Sequence, residues 1–431
     1  MLEAALRSRT ARRRAVFEVF ARHLPHGRRY GVVAGTGRLL DALSRFRFGP
    51  EELGFLRAVV DKPTLQYLSS YRFSGDIWGY PEGDCYFPGS PILVVAAPFA
   101  EAVLLETVIL SILNHDCAIA SAASRMVTAA DGRPLIEMGS RRTHEYAAVA
   151  AARAAYIAGF EATSNLQARH DYGVPSTGTS AHAFTLLHDS ERHAFAAQVE
   201  ALGSGTTLLV DTFEVARAVR TAVELAGPSL GAVRIDSGDL PSVARQVRSL
   251  LDELGATKTR IVLTGDLDEY SIAALGSAPV NGYGVGTALV TGSGAPTAAL
   301  VYKLVARADT ESAGAALRPM AKRSVGKPGR GGRKWAVRHL DDHGTALAEQ
   351  ITLAEPDPGP SLFVRKDTPR HDRLLLQPLV RGGEIVGQSG PAATEAAREH
   401  HRQVMTELPG HARQLSRGYP AIPTLFPPNG D

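Results

Sequence analysis

The chain has 431 residues, 44% hydrophobic and 21% charged, with a net charge of +3. This balance excludes a disordered or fibrous chain and gives no electrostatic bias toward nucleic acid. The length points to two or three domains, and two cysteines, Cys85 and Cys117, are too few for a disulfide framework and lack zinc-type spacing, so a reducing cytoplasm is the expected setting. Residues 1–14 are arginine-rich with no apolar core behind them, unlike a secretory signal. The longest apolar stretch, 102–113, is interrupted by Glu106 and is too short to span a bilayer, so no membrane partner is expected.

Residues 15–20 and 30–33 predict strands, and Thr36-Gly37 opens a helix with Leu39, Leu40 and Leu43 at helical spacing. Short helices over 51–60 and 63–68 precede Asp76-Ile77-Trp78, the turn Pro81-Glu82-Gly83-Asp84 and a strand ending in Ile92-Leu93-Val94-Val95. Residues 101–127 predict an apolar helix pair leading into a second domain. From Ile136 the grammar is regular. Strands ending at Glu137, Thr212, Asp236, Asp266 and Thr287 alternate with helices over 147–158, 215–225, 243–254 and 271–275, the pattern of a parallel βα repeat. The expected fold is therefore α/β, an irregular parallel barrel over 111–310 with an α/β domain over 1–110. A C-terminal extension over 311–431 is expected to pack on the first domain, with a basic glycine-rich loop over 318–334, a hairpin over 374–386 and a helix over 392–408.

In such barrels chemistry gathers at the C-terminal strand ends, where Asp211, Asp236, Asp239, Asp266 and Thr287 would converge. Gly178-Thr179-Ser180-Ala181-His182 sets a histidine at a helix start, where unpaired N–H groups and the macrodipole favour phosphate and an imidazole can accept a phosphoryl group. The alternative is an ordinary N-cap, Thr179 or Ser180, with a histidine in the first turn. Arg141-Arg142 can grip phosphate or carboxylate, or lie as surface arginines. Arg234 and Asp236 share one side of a buried strand, which is tolerated for charges only when they are paired or functional. Asp236 and Asp239 can hold Mg²⁺ or ribose hydroxyls, or Ser237 can simply cap the next helix. Gly284-Val285-Gly286-Thr287, with Thr291-Gly292-Ser293-Gly294, has the pattern of a backbone-amide phosphate cradle. Lys303 reads equally as a snorkelling lysine or a ligand, and Trp78 and Phe184 as core or stacking residues. Together these stretches point to phosphoryl or phosphoribosyl chemistry without naming a substrate.

In family order, Glu82-Gly83-Asp84, Glu106-Thr107, Glu137-Met138-Gly139-Ser140-Arg141-Arg142, Thr163-Ser164-Asn165, Gly178-Thr179-Ser180-Ala181-His182, Leu209-Val210-Asp211-Thr212, Arg234-Ile235-Asp236-Ser237-Gly238-Asp239, and Gly284-Val285-Gly286-Thr287 with Val301-Tyr302-Lys303-Leu304-Val305 resemble nicotinate phosphoribosyltransferase. The resemblance spans roughly residues 1–400. It implies a type II phosphoribosyltransferase barrel that condenses nicotinate with 5-phosphoribosyl 1-pyrophosphate (PRPP) to nicotinate mononucleotide and pyrophosphate in NAD salvage. ATP enters as co-substrate through a phosphohistidine, here His182, with Mg²⁺ as cofactor. Asp236 and Asp239 are implied as catalytic and metal-binding residues. Thr179, Ser180, Arg141, Arg234, Asp211, Gly286 and Thr287 are implied as the substrate-binding set, and a cytoplasmic homodimer with active sites at the subunit interface is the implied assembly.

Family members usually begin with Thr-Asp-x-Tyr-x-x-Thr-Met, whose tyrosine comes from the neighbouring subunit to stack on the pyridine ring, whereas Met1-Leu2-Glu3 starts at the last residue of that stretch. A start codon assigned too late is favoured over a copy lacking half its clamp, because the other motifs are intact. The alternatives to the leading reading are a nicotinamide or quinolinate phosphoribosyltransferase, and a catalytically silent, ligand-sensing paralogue.

Overall fold

The computed structural model describes residues 1–312, 314–322, 330–353 and 372–427, so residues 323–329 of the expected basic loop lie outside the described part. The chain divides into two compact units, Met1–Ala118 with Thr297–Asp431, and Ile119–Pro296. The sequence reading set these boundaries at 110 and 310.

In the first unit, Arg14–Ala21 lies between Leu300–Ala308 and Leu93–Pro98 in a seven-stranded sheet, both pairings antiparallel. The near-continuous apolar run Ala15-Val16-Phe17 is what a strand buried on both faces requires. Phe17 stacks on Tyr302 at 4.7 Å between centroids. Its neighbour Glu18 is buried and accepts from Lys334 Nζ at 2.7 Å. The Val301-Tyr302-Lys303-Leu304-Val305 motif, grouped with the barrel by sequence, thus belongs to this sheet, and Lys303 is exposed there, opposite Glu18. The expected hairpin is present as Gln377–Arg381 with Glu384–Ile385. Trp78 is core, set edge-on to Trp335 with the Arg381 guanidinium over its face at 3.9 Å.

One buried ionic network ties distant segments of this unit together. Arg338, fully buried, donates to Asp84 Oδ1 at 2.8 Å, to the Cys85 carbonyl at 2.7 Å and to the Glu349 carboxylate. Asp84 also receives Arg373, and His400 Nε2 stands 3.0 Å from its Oδ2. Burial alone would raise the Asp84 carboxyl, but Arg338, His400 and Arg373 outweigh it and hold it well below the usual carboxylate range. The Glu82-Gly83-Asp84 motif is structural in this chain. Glu82 accepts from the N–H groups of Gly35 and Gly37 at the start of helix Thr36–Arg45. Gly83 has φ +92° and sits so close to helix Gly390–Glu407 that a Cβ would lie 2.2 Å from the Ala397 carbonyl oxygen.

Helix Glu106–Ala130 is long and apolar enough by composition to cross a membrane, but 61% of its most apolar window is buried. Ile109, Leu113, Cys117, Ile119, Ala123 and Met126 along it are core residues. Both cysteines are buried and neither is in a disulfide.

The second unit is built on six parallel strands: β1 (Leu135–Glu137), β2 (Ala162–Thr163), β3 (Thr207–Leu209), β4 (Ala232–Ile235), β5 (Arg260–Leu263) and β6 (Gly282–Val285). Their order is β2-β1-β6-β5-β4-β3. The expected parallel α/β barrel is thus a curled half-barrel. Its register pairs Leu209 with Arg234, Ile235 with Leu263, Leu263 with Tyr283, Val285 with Glu137 and Glu137 with Thr163. The strands therefore end at one level, and the residues that follow them share one rim. Between the strands run helices that include Glu145–Ile157, Val215–Ala226 and Leu240–Glu253 near their expected places. Helix Glu191–Leu202, capped by Ser190 and absent from the sequence reading, precedes β3.

In the first unit, His401 is buried with Nδ1–H donating to the Gly83 carbonyl at 2.8 Å. Burial pushes its pKa from 6.5 down to about 4. The unfolded chain takes up this proton below its ordinary value and the folded chain does not, so stability is present above that value and lost as pH falls toward 4. Urea denaturation of wild type and His401→Gln across this range should show the wild-type acid slope flattened in the variant by up to ~3 kcal/mol; parallel slopes would contradict this.

Candidate active site

The third residue of β4, Arg234, enters the rim from a buried strand with 9% of its surface exposed. A guanidinium is stable there only if its donors are satisfied. Nε donates to Thr264 Oγ1 at 2.8 Å, one terminal nitrogen donates to Thr179 Oγ1 at 2.7 Å, and the other lies 3.3 Å from Asp236 Oδ2. Thr264 Oγ1 in turn donates to Asp236 Oδ1 at 2.7 Å. The expected pairing of Arg234 with Asp236 is therefore present, through a shared hydroxyl as well as directly.

Asp211, just past β3, has a side chain 2% exposed. Its Oδ2 accepts from the Asp236 N–H and the Ser237 hydroxyl, both at 2.7 Å, while its Oδ1 is buried without a hydrogen-bond partner. His182 stands over these groups. Its Nδ1 is 3.1 Å from Thr212 Oγ1, and its Nε2 is 3.9 Å from both Asp211 Oδ1 and Asp236 Oδ2. The imidazole side chain is 41% exposed, so it can be reached from solvent. This is an open-rim histidine with one nitrogen turned to a hydroxyl and the other to two carboxylates.

His182 is the first residue of helix His182–Leu187, whose N-cap is Ala181 with no side-chain cap hydrogen bond. Neither Thr179 nor Ser180 is the ordinary cap considered as the alternative: the Thr179 hydroxyl is bound to Arg234 instead, and Ser180 is half-buried just ahead of the cap. Phe184 packs edge-on at 4.7 Å to His188, the residue that ends this short helix. The Ser237 cap is likewise corrected. The N-cap of Leu240–Glu253 is Asp239, without a side-chain cap bond, and Ser237 serves Asp211. Asp239 and Asp266 are exposed. Among the described residues no three His, Cys, Asp or Glu side chains are arranged to hold a metal by themselves.

Across the rim, Glu137 ends β1 fully buried and accepts from the Gly139 N–H and the Thr163 hydroxyl. Burial pushes its carboxyl up, and those two donors pull it back. Asn165 donates from its backbone to Thr163 Oγ1 at 2.9 Å and from Nδ2 to Ser140 Oγ at 3.0 Å, which ties down the turn Ser140–Arg142. Arg141 and Arg142 extend from that turn and are exposed. Gly139 must be glycine, since a Cβ would lie 2.2 Å from Val290. Gly284 has a packing task of the same kind, with Thr264 Cγ2 at 2.6 Å from the place of its Cβ. Gly286 is the N-cap of the short helix Thr287–Val290, and Thr287 is exposed at its first position. Gly292 and Gly294 have φ of +63° and +82°, a turn tied by the Ser293 hydroxyl to Glu269, which also receives Arg125 Nε at 3.0 Å. The roles of Thr212, Ser237 and Thr264 at this rim were not assigned from sequence. Their one visible signal is a hydroxyl placed just after an apolar strand.

Residues 1–114 match the nicotinate phosphoribosyltransferase N-terminal domain model. The chain is 58% identical over 432 residues to a nicotinate phosphoribosyltransferase of Mycobacterium tuberculosis, covering 98% of this chain and 92% of that one. It is 36% identical over 318 residues to a nicotinate phosphoribosyltransferase of Bacillus subtilis, covering 71% of this chain and 64% of that one. Among solved structures, human nicotinic acid phosphoribosyltransferase superposes with a TM-score of 0.81 at 25% identity, covering 99% of this chain and 96% of that one. The nicotinate-nucleotide pyrophosphorylase of Pyrococcus furiosus shares the fold, with a TM-score of 0.75 at 24% identity over 94% of this chain and 92% of that one.

Replacing Glu137 by alanine strands the Gly139 N–H and the Thr163 hydroxyl in a buried place. Chemical denaturation should show a loss of about 2–3 kcal/mol for Glu137→Ala and a smaller loss for Glu137→Gln, which keeps an acceptor. An alanine variant as stable as wild type would remove this latch from the account.

Proposed function

The chain belongs to the nicotinate phosphoribosyltransferase family, and from that premise we propose that it couples nicotinate salvage to ATP by phosphorylation of His182. The activity is the family's: nicotinate and PRPP condense to nicotinate mononucleotide and pyrophosphate on a type II phosphoribosyltransferase fold. The ring nitrogen of nicotinate bonds to C1 of the ribose as the C1–oxygen bond breaks and pyrophosphate leaves with the electron pair. Charge develops on the sugar ring and on the leaving group, so fixed donors at the rim lower the barrier. Arg141, Arg234, Thr179, Ser180, Gly286 and Thr287 are the groups we assign to hold the carboxylate, ribose and phosphates.

The observation that carries the ATP-coupled reading is the setting of His182. In the tautomer that donates Nδ1–H to Thr212 Oγ1, Nε2 keeps its lone pair, on a side chain that is 41% exposed. Attack by that lone pair on the γ-phosphorus of ATP forms the N–P bond while the bond to the β,γ-bridging oxygen breaks, and ADP departs with the electrons. Two carboxylates 3.9 Å from Nε2 would repel the incoming phosphate unless a cation stood with them. The residues present fit Mg²⁺, because Asp211 Oδ1 is buried and unpartnered and Asp236 Oδ2 faces the same nitrogen. Mg²⁺ sites commonly use one or two carboxylates and fill the remaining positions with water and substrate phosphate. When bound, the ion neutralises phosphate charge. We assign this role to Asp236 and Asp211, while Asp239 is exposed at the start of helix Leu240–Glu253.

A homodimer is part of the proposal. Leu186, Leu187 and Phe213 are each more than 60% exposed beside His182 and Thr212 in sequence, as apolar groups covered by a second copy would be.

Purified chain supplied with nicotinate, PRPP and Mg²⁺ should form nicotinate mononucleotide, and faster with ATP. His182→Ala should lose ATP hydrolysis and the stimulation while keeping slow transfer, because the donor-binding groups remain. ATP hydrolysis at the wild-type rate in that variant would remove His182 from the mechanism.

A further inference from the structure

We infer that Thr264 is a positioning residue for phosphoryl acceptance, its one hydroxyl fixing how Arg234 meets Asp236, a carboxylate that faces His182. The inference rests on His182 being the acceptor, as proposed above. Thr264 is the first residue after β5 and only 3% exposed, so its hydroxyl is turned to protein partners. Its Oγ1 is doubly committed. It accepts from Arg234 Nε at 2.8 Å and donates to Asp236 Oδ1 at 2.7 Å.

This arrangement has a directional consequence. A carboxylate beside a guanidinium prefers the two-point fork in which both oxygens meet N–H groups. In this structure the fork is not made, since Oδ1 is held by the threonine and the guanidinium reaches only Oδ2, at 3.3 Å. Arg234 Nε, the atom that would supply the second arm, is bound to the same threonine. The hydroxyl is thus inserted between the two charges at the point where they would otherwise close on each other. Kept apart, Asp236 leaves Oδ2 directed at His182 Nε2, 3.9 Å away, while Arg234 keeps its remaining arm on Thr179 in the segment that leads into His182.

The backbone around Thr264 fits such a fixed role. The next residue, Gly265, has φ +109°, and a Cβ there would lie 2.9 Å from the Asp236 carbonyl oxygen. The Thr264 methyl lies against β6, where a Cβ on Gly284 would come within 2.6 Å of it. The methyl and the hydroxyl therefore have separate tasks: one packs, the other holds the charges apart.

Those tasks separate by substitution. Thr264→Ser keeps the hydroxyl and loses the methyl, Thr264→Val keeps the shape and loses the hydroxyl, and Thr264→Ala loses both. The readout is the rate at which acid-labile, base-stable label from γ-labelled ATP appears on the full chain, with thermal midpoints measured in parallel. The expected result is a rate lowered by about tenfold or more in Thr264→Val and Thr264→Ala, and within about twofold of wild type in Thr264→Ser, even where the serine variant is the less thermostable of the folded set. Rates that follow thermal stability rather than the hydroxyl, or a serine variant as slow as alanine, would overturn the inference and leave Thr264 a packing residue. If the valine variant fails to fold, the serine and alanine pair carries the same comparison. Wild type that acquires no such label would instead overturn the reading of His182, and this inference with it.

Discussion

A positive charge placed inside a parallel strand is the constraint on which the rim is built. Arg234 has both strand neighbours in register and little exposed surface, so its donors must be met by other protein groups. Thr264 and Thr179 supply oxygens from two other segments, and Asp236 supplies the balancing charge. Once Asp236 is placed, its own N–H and the hydroxyl of its neighbour Ser237 orient Asp211, and the two carboxylates together define the space occupied by Nε2 of His182. The chain of dependence runs from one buried guanidinium to one exposed imidazole.

The first unit solves a related problem for a different end. Arg338 is fully buried and binds Asp84, Glu349 and a backbone carbonyl, drawing together segments more than 250 positions apart. Among the described residues, the histidine of that network, His400, is turned to Asp84 and only 26% exposed. Breaking such a pair is expensive because a lone charge is left behind, while its net contribution against an apolar replacement is small. Its value here is in specifying which distant segments meet. At the rim the same kind of interaction surrounds an imidazole that stays 41% exposed.

Much of this was legible in the primary structure. The recurrence of apolar runs ending in Asp211, Asp236 or Thr287 marked parallel strands and the ends that share one rim, because a strand buried on both faces reads as a continuous apolar run. His182 was legible from its glycine and hydroxyl neighbours. The motif Glu82-Gly83-Asp84 was visible too, but its task was not, since a carboxylate that meets Arg338 and Arg373 far along the chain looks the same as a ligand-binding one. Thr264 was hidden for a parallel reason: a hydroxyl after a strand is common, and its meaning comes from two partners supplied by another strand. Strand Leu300–Ala308 was assigned to the wrong unit because its apolar pattern matches barrel strands, whereas its pairing with Arg14–Ala21 depends on residues nearly 300 positions away.

The proposed ATP coupling rests on the orientation of one imidazole, with Nδ1 turned to Thr212 and Nε2 proposed to receive phosphate. Phosphorus NMR of the intact protein after ATP addition distinguishes the two nitrogens by the chemical shift of the phosphoramidate. The account predicts a single Nε2-phosphohistidine resonance that decays when nicotinate and PRPP are added. A phosphate on Nδ1, or sustained ATP-stimulated turnover with no phosphohistidine resonance at all, would contradict it.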